Sequence, residues 1–149
     1  MENQNYNATF TVSQSANKVF ESINTVTKWW TENLEGSSEK LNDEFKLLWG
    51  GDNFVSIKII ESVPFNKIVW HVTDCYLEWL KDKHEWTNTK MSFEISTIDN
   101  STQLHFTHIG LVPEVECYND CVKGWDQYVK GSLLKLIAEG EGQPQKRKQ

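Results

Sequence analysis

The stretch "YNATFTV" alternates, with Ala8, Phe10 and Val12 on one face, and this period of two predicts a strand. "SQSANKVFESI" changes the period: Val19, Phe20 and Ile23 share one side of a short helix, with a serine at 13 or 15 as its N-cap. "TVTKWWTEN" predicts a second short helix or turn that sets Trp29 and Trp30 beside the core. From about residue 43 to 110 the pattern is that of strands. "EFKLLW" runs into the turn cluster Gly50-Gly51-Asp52-Asn53, "FVSIKIIESV" follows, and "PFN" turns the chain into "KIVWHVTD". "TKMSFEISTI" sets Thr89, Met91, Phe93 and Ile95 against Lys90, Ser92 and Glu94, and "QLHFTHIG" puts Leu104, Phe106 and His108 on one face. These strands predict an antiparallel meander with one buried side.

After Pro113 the period returns to that of a helix. Cys117, Cys121, Trp125, Tyr128, Val129, Leu133, Leu136 and Ile137 form one apolar stripe, with Gly140 as the C-cap. Two glycines interrupt it. Gly124 and Gly131 lie seven apart on one face, although a glycine inside a helix costs about 1 kcal/mol relative to alanine. They are read as sites where the helix approaches the sheet closely or leaves room for a ligand. The order of elements is strand, two short helices, about six further strands, long helix. Because no helix separates the later strands, it predicts an α+β fold with an antiparallel sheet.

The same segments, in the same order, carry a resemblance. "ATFTVSQSANKVFESI", "WW", "SVPFNKIVW", "FEIS", "LHFTHIGL" and above all "GWDQYVKGSLLKLIAEGEGQP" resemble the START/SRPBCC superfamily, the helix-grip fold of the birch-pollen allergen. Within it they are similar to the branch of the heat-shock-protein-90 ATPase activator's C-terminal domain. The resemblance implies a curved antiparallel sheet of six or seven strands gripping the C-terminal helix. It also implies a cavity between them that takes a hydrophobic small molecule. Some members of the superfamily are enzymes, and the namesake activator works with a chaperone through an additional N-terminal domain.

Composition narrows this further. At 149 residues the chain is read as one domain, with an ordered core over about 6–141 and a basic tail at 142–149. A net charge of -6 with no basic stripe argues against a nucleic-acid partner. No run approaches the ~18 apolar residues of a membrane span, and the start lacks the pattern of a signal peptide. Three cysteines, Cys75, Cys117 and Cys121, suggest a reduced, cytoplasmic setting and buried core thiols rather than a zinc site.

Seven tryptophans are the unusual feature. Trp30, Trp49, Trp70 and Trp125, together with Thr89, Met91, Phe106, His108, Gly124 and Tyr128, are the expected lining of the cavity. Trp79 and Trp86, in the polar connection "YLEWLKDKHEW", are read as a lid or an interaction patch. His105 and His108, three apart on a strand, face opposite ways and cannot share a metal. No catalytic motif, phosphate loop, metal site or cofactor is predicted. Three readings follow: binding of a hydrophobic small molecule, with His108, Tyr128 and Thr89 giving direction; a cyclase-, dehydratase- or hydrolase-like enzyme using His108 as acid or base; and a module that docks on a chaperone.

Overall fold

The computed structural model describes residues 5–48 and 51–145. Strand β1 (Tyr6–Val12) leads into helix α1 (Ala16–Asn24) and a single 3-10 turn at Val26–Lys28. Six strands follow: β2 (Leu34–Gly36), β3 (Glu44–Leu48), β4 (Phe54–Val63), β5 (Lys67–Tyr76), β6 (Lys90–Ile98) and β7 (Ser101–Ile109). The C-terminal helix starts as α2 (Tyr118–Trp125), widens into a π-helical segment at Asp126–Leu133, and closes as α3 (Leu134–Glu139). All seven strands form one antiparallel sheet in the order β1-β7-β6-β5-β4-β3-β2. The second short helix of the sequence reading is therefore the 3-10 turn.

Local sequence accounts for each element. Ser15 is the N-cap of α1, its hydroxyl accepting from the Lys18 amide at 3.2 Å, which satisfies one of the helix's free amides. Alternation in β7 buries Thr102, Leu104, Phe106 and His108 while His105 points out to Thr9. Two register shifts in the β4–β5 pair, after Ser56 and after Ile59, bend the sheet and leave Ile60 exposed. The bent sheet closes around the helix, whose Trp125, Val129, Leu133, Leu136 and Ile137 are buried against it. Each fully buried aliphatic side chain there contributes about 1.5–3 kcal/mol.

The segment after α3 is anchored as far as residue 145. Gly140 adopts a left-handed φ of 85° and returns its amide to the Leu136 carbonyl at 2.9 Å, ending α3. Residues 142–145 then cross under the Trp29–Trp30 corner. The Gln143 amide donates to Ser132 Oγ at 2.7 Å, the Gln145 amide to the Trp30 carbonyl at 2.8 Å, and the Glu32 amide to the Gln145 carbonyl at 2.9 Å. At Gly142 a Cβ would overlap the Lys28 carbonyl oxygen, so only glycine passes there. Hydrogen bonds to the body of the fold thus continue through Gln145. Among the described residues, no helix is long and apolar enough to cross a membrane.

Candidate ligand-binding site

β5 outruns β6: the two pair over Lys67–His71 and Lys90–Glu94, and beyond them the chain leaves the sheet as a connection over residues 77–89. This connection folds over the end of the sheet toward the start of α2. Two carboxylates tie it there. Glu85 Oε1 accepts from the Glu116 amide at 2.8 Å and Oε2 from the Cys117 amide at 3.2 Å, while Glu116 Oε1 accepts from the Lys81 amide at 2.8 Å. Trp86 Nε1 donates to Cys117 Sγ at 3.2 Å. The connection is therefore a lid bonded to the helix N-terminus.

Between lid and helix lies a cavity of about 310 Å³, near the lower end of the usual range for small-molecule sites. Leu77, Trp79 and Trp86 form its lid side. Trp30 and Val55 form the floor. Helix α2 and the next turn supply Asp120, Cys121, Gly124, Trp125 and Tyr128. The lining is almost wholly apolar and largely aromatic, and Asp120, itself exposed, and Tyr128 are the lining residues with an acidic or a hydroxyl side chain. Burial pushes the Tyr128 hydroxyl up, so it remains a neutral donor. Trp79 is 55% exposed at the mouth. At Gly124 a Cβ would meet nothing within 4 Å, so the missing side chain is cavity space.

The residues expected from the sequence to line a cavity divide into two layers. Trp30, Gly124, Trp125 and Tyr128 face it. Trp70, Thr89, Met91, Phe106 and His108 stand behind it. The Trp70 ring stacks on Trp30 at 6.1 Å, Phe106 packs on Trp125 at 4.7 Å, and Met91 sits in register between Trp70 and His108. Trp49 lies outside the described residues. Strand parity correctly points these side chains inward, but rings from the lid and helix stand between them and the cavity. Trp79 and Trp86, read from the sequence as a lid or an interaction patch, stand on the lid side of the cavity, whereas Val55, Leu77, Asp120 and Cys121 were not among its expected lining.

His108 is fully buried and has both ring nitrogens engaged. Trp125 Nε1 lies 3.0 Å from Nδ1, and Thr89 Oγ1 lies 2.9 Å from Nε2; the Thr89 hydroxyl donates onward to the Trp86 carbonyl at 2.6 Å. Burial pushes its pKa down to about 3. This chain of bonds ties β7 to the helix and the lid. Trp70 Nε1, by contrast, is buried with no hydrogen-bond partner among the described residues, enclosed by aromatic rings including Phe45 and Phe93 at 5.2 and 4.7 Å.

The cysteine expectation needs correction. Cys75 is a buried free thiol, but Cys117 and Cys121 are joined in a disulfide. One helical turn apart on the same face, with Cα atoms 5.6 Å apart, they are within the reach of that bond. No group of three or more His, Cys, Asp or Glu residues suited to a metal occurs among the described residues.

The family model described as Activator of Hsp90 ATPase homolog 1-like protein matches residues 14–138. The chain belongs to this family. It is accordingly a START/SRPBCC member with the helix-grip fold. Among solved structures, the Aha1 dimer from Colwellia psychrerythraea is 22% identical with a TM-score of 0.71, covering 93% of this chain and 98% of that one. DynU16, from the dynemicin biosynthetic locus, is 13% identical with a TM-score of 0.70; the match spans 98% of this chain and 52% of that one. A conserved protein of unknown function from Enterococcus faecalis is 14% identical with a TM-score of 0.65, over 99% and 80% of the two chains. At these identities the likeness is one of fold. No match is found among curated protein sequences.

Proposed function

We propose that this family member binds a compact hydrophobic small molecule in the cavity between its lid and the C-terminal helix. The observation that carries the reading is the aromatic cavity itself, kept open where Gly124 withholds a side chain from its wall. Apolar burial supplies affinity at about 25 cal/mol per Å², and Tyr128 and Asp120 supply orientation. His108 and Thr89 act from behind, holding Trp125 and the Trp86 segment in place. An acid/base role for His108 is not favoured, because both of its nitrogens are bonded within the protein.

The test is native mass spectrometry and thermal shift with a library of apolar compounds, run on the wild type and on Gly124→Leu. Compounds that bind the wild type and are lost from the variant support the reading. A library without hits, or hits indifferent to Gly124→Leu, overturns it.

A second reading is docking on a chaperone. It is favoured by the exposed Trp79 and by the activator after which the family is described. Adding the chain to an Hsp90-type chaperone and following ATP hydrolysis tests it; an unchanged rate counts against it.

A further inference from the structure

The cavity's chemistry is more selective than its apolar character suggests. Among its described lining residues Asp120 is the one carboxylate, and there is no lysine, arginine or histidine to balance it. Four of the others are tryptophans, whose ring faces carry the negative end of a quadrupole that attracts cations.

The surroundings reinforce this sign. Residues 77–89 and 114–125, the stretches that supply the lid and the start of the helix wall, hold six carboxylates and three lysines, half of the excess behind the chain's net charge of -6. Lys83, one of those lysines, is committed to the carbonyl oxygens of Glu78 and Leu80 at 3.1 and 3.0 Å. A helix N-terminus beside a cavity ordinarily draws anions. Here the Glu85 carboxylate already takes the Glu116 and Cys117 amides just ahead of α2, and the Tyr118 amide goes to the Val115 carbonyl at 3.2 Å. A fatty acid or other carboxylate would therefore enter without a partner, against an acidic rim.

We infer that the occupant is an organic cation: an alkyl- or aryl-ammonium whose charged centre lies beside Asp120 and the tryptophans while its apolar body fills the space at Gly124. This rests on reading the cavity as a ligand site and adds the sign of the ligand's charge. The acidic rim also concentrates cations at the mouth, an effect that weakens with salt.

The experiment uses three benzyl probes: benzyltrimethylammonium, its neutral carbon isostere neopentylbenzene, and the anion phenylacetate. Binding to the full chain is followed by calorimetry and tryptophan fluorescence. The cation should bind about tenfold or more tighter than phenylacetate, and Asp120→Asn should weaken it about fivefold without changing the isostere. Equal binding of cation and anion, or a cation indifferent to Asp120→Asn, overturns the inference. If the isostere binds, is lost in Gly124→Leu and outcompetes the cation, the inference falls and the ligand site stands. If no probe's signal responds to Gly124→Leu, both fall.

Discussion

Trp125 Nε1 donates to Nδ1 of His108 across 3.0 Å, joining the C-terminal helix to the last strand of the sheet. An indole nitrogen is a donor only, so Nδ1 must be the unprotonated nitrogen of His108. The proton then sits on Nε2 and is donated to Thr89 Oγ1, whose own hydroxyl hydrogen goes to the Trp86 carbonyl. Every donor in the sequence Trp125, His108, Thr89 has one acceptor. The arrangement has a single consistent protonation state, and it is neutral.

That state predicts a pH dependence. The folded pKa of His108 is pushed down to about 3 by burial, below an unfolded value near 6.5. As pH falls, the unfolded chain takes up the proton first. The stabilisation is therefore complete above pH 6.5 and is lost progressively as pH drops toward 3. At pH 5 the loss is about 2 kcal/mol. Urea unfolding at pH 7.5 and pH 5 should show this loss in the wild type and its absence in His108→Gln. The same loss in both proteins would count against the assignment.

Thr89 is the second link. Thr89→Val keeps the shape but leaves the Nε2–H of His108 without its acceptor, while the Trp86 carbonyl still accepts from the Thr89 amide at 3.0 Å. A buried donor without an acceptor costs about 1–3 kcal/mol, so a loss of that size is expected in chemical denaturation. Thr89→Ser, which keeps the hydroxyl, should recover most of it. If serine and valine are equally destabilising, the hydroxyl is not the reason for threonine.

Gly124 and Gly131 behave differently despite sharing a sequence pattern. Neither brings the helix close to the sheet: a Cβ at Gly131 would meet only the Asp126 carbonyl at 3.7 Å, and one at Gly124 meets nothing within 4 Å. Gly124→Ala should therefore stabilise the protein by about 1 kcal/mol, because the helix gains a better former at no steric cost. Gly124→Leu should stay folded and fill the cavity. The thermal midpoint and ligand binding of the two variants separate helix propensity from space, and destabilisation by alanine would refute the open wall.

How much of this could be read beforehand follows from the range of the signals. Leu104, Phe106 and His108 were legible as inward because strand alternation is local. The Ser15 cap and the Gly140 stop are local too. The cavity is not. Trp86 meets Cys117 and Glu85 meets the α2 amides across more than thirty residues, within a segment that has no period of its own. The spacing of Cys117 and Cys121 was visible, whereas their joining depends on the first turn of α2 bringing the sulfurs together. The need for glycine at 142 is set by the Lys28 and Ser132 carbonyls, which no local pattern at 142 reveals.

The lid gives the last prediction. Glu85 is the residue through which one side chain holds two amides at the α2 N-terminus, and its negative charge also complements the positive end of the helix. Glu85→Ala removes both contacts at once and should cost about 1–2 kcal/mol. The larger effect should be local. Amide exchange should accelerate over residues 77–89 and in the first turn of α2, while the β6–β7 pair, bonded along its full length, keeps its protection. A ligand held under the lid should leave faster with little change in its rate of entry. Glu85→Gln, which retains one acceptor oxygen but no charge, should fall between the two. If exchange rises uniformly across the sheet in Glu85→Ala, the carboxylate supports the whole fold rather than the lid.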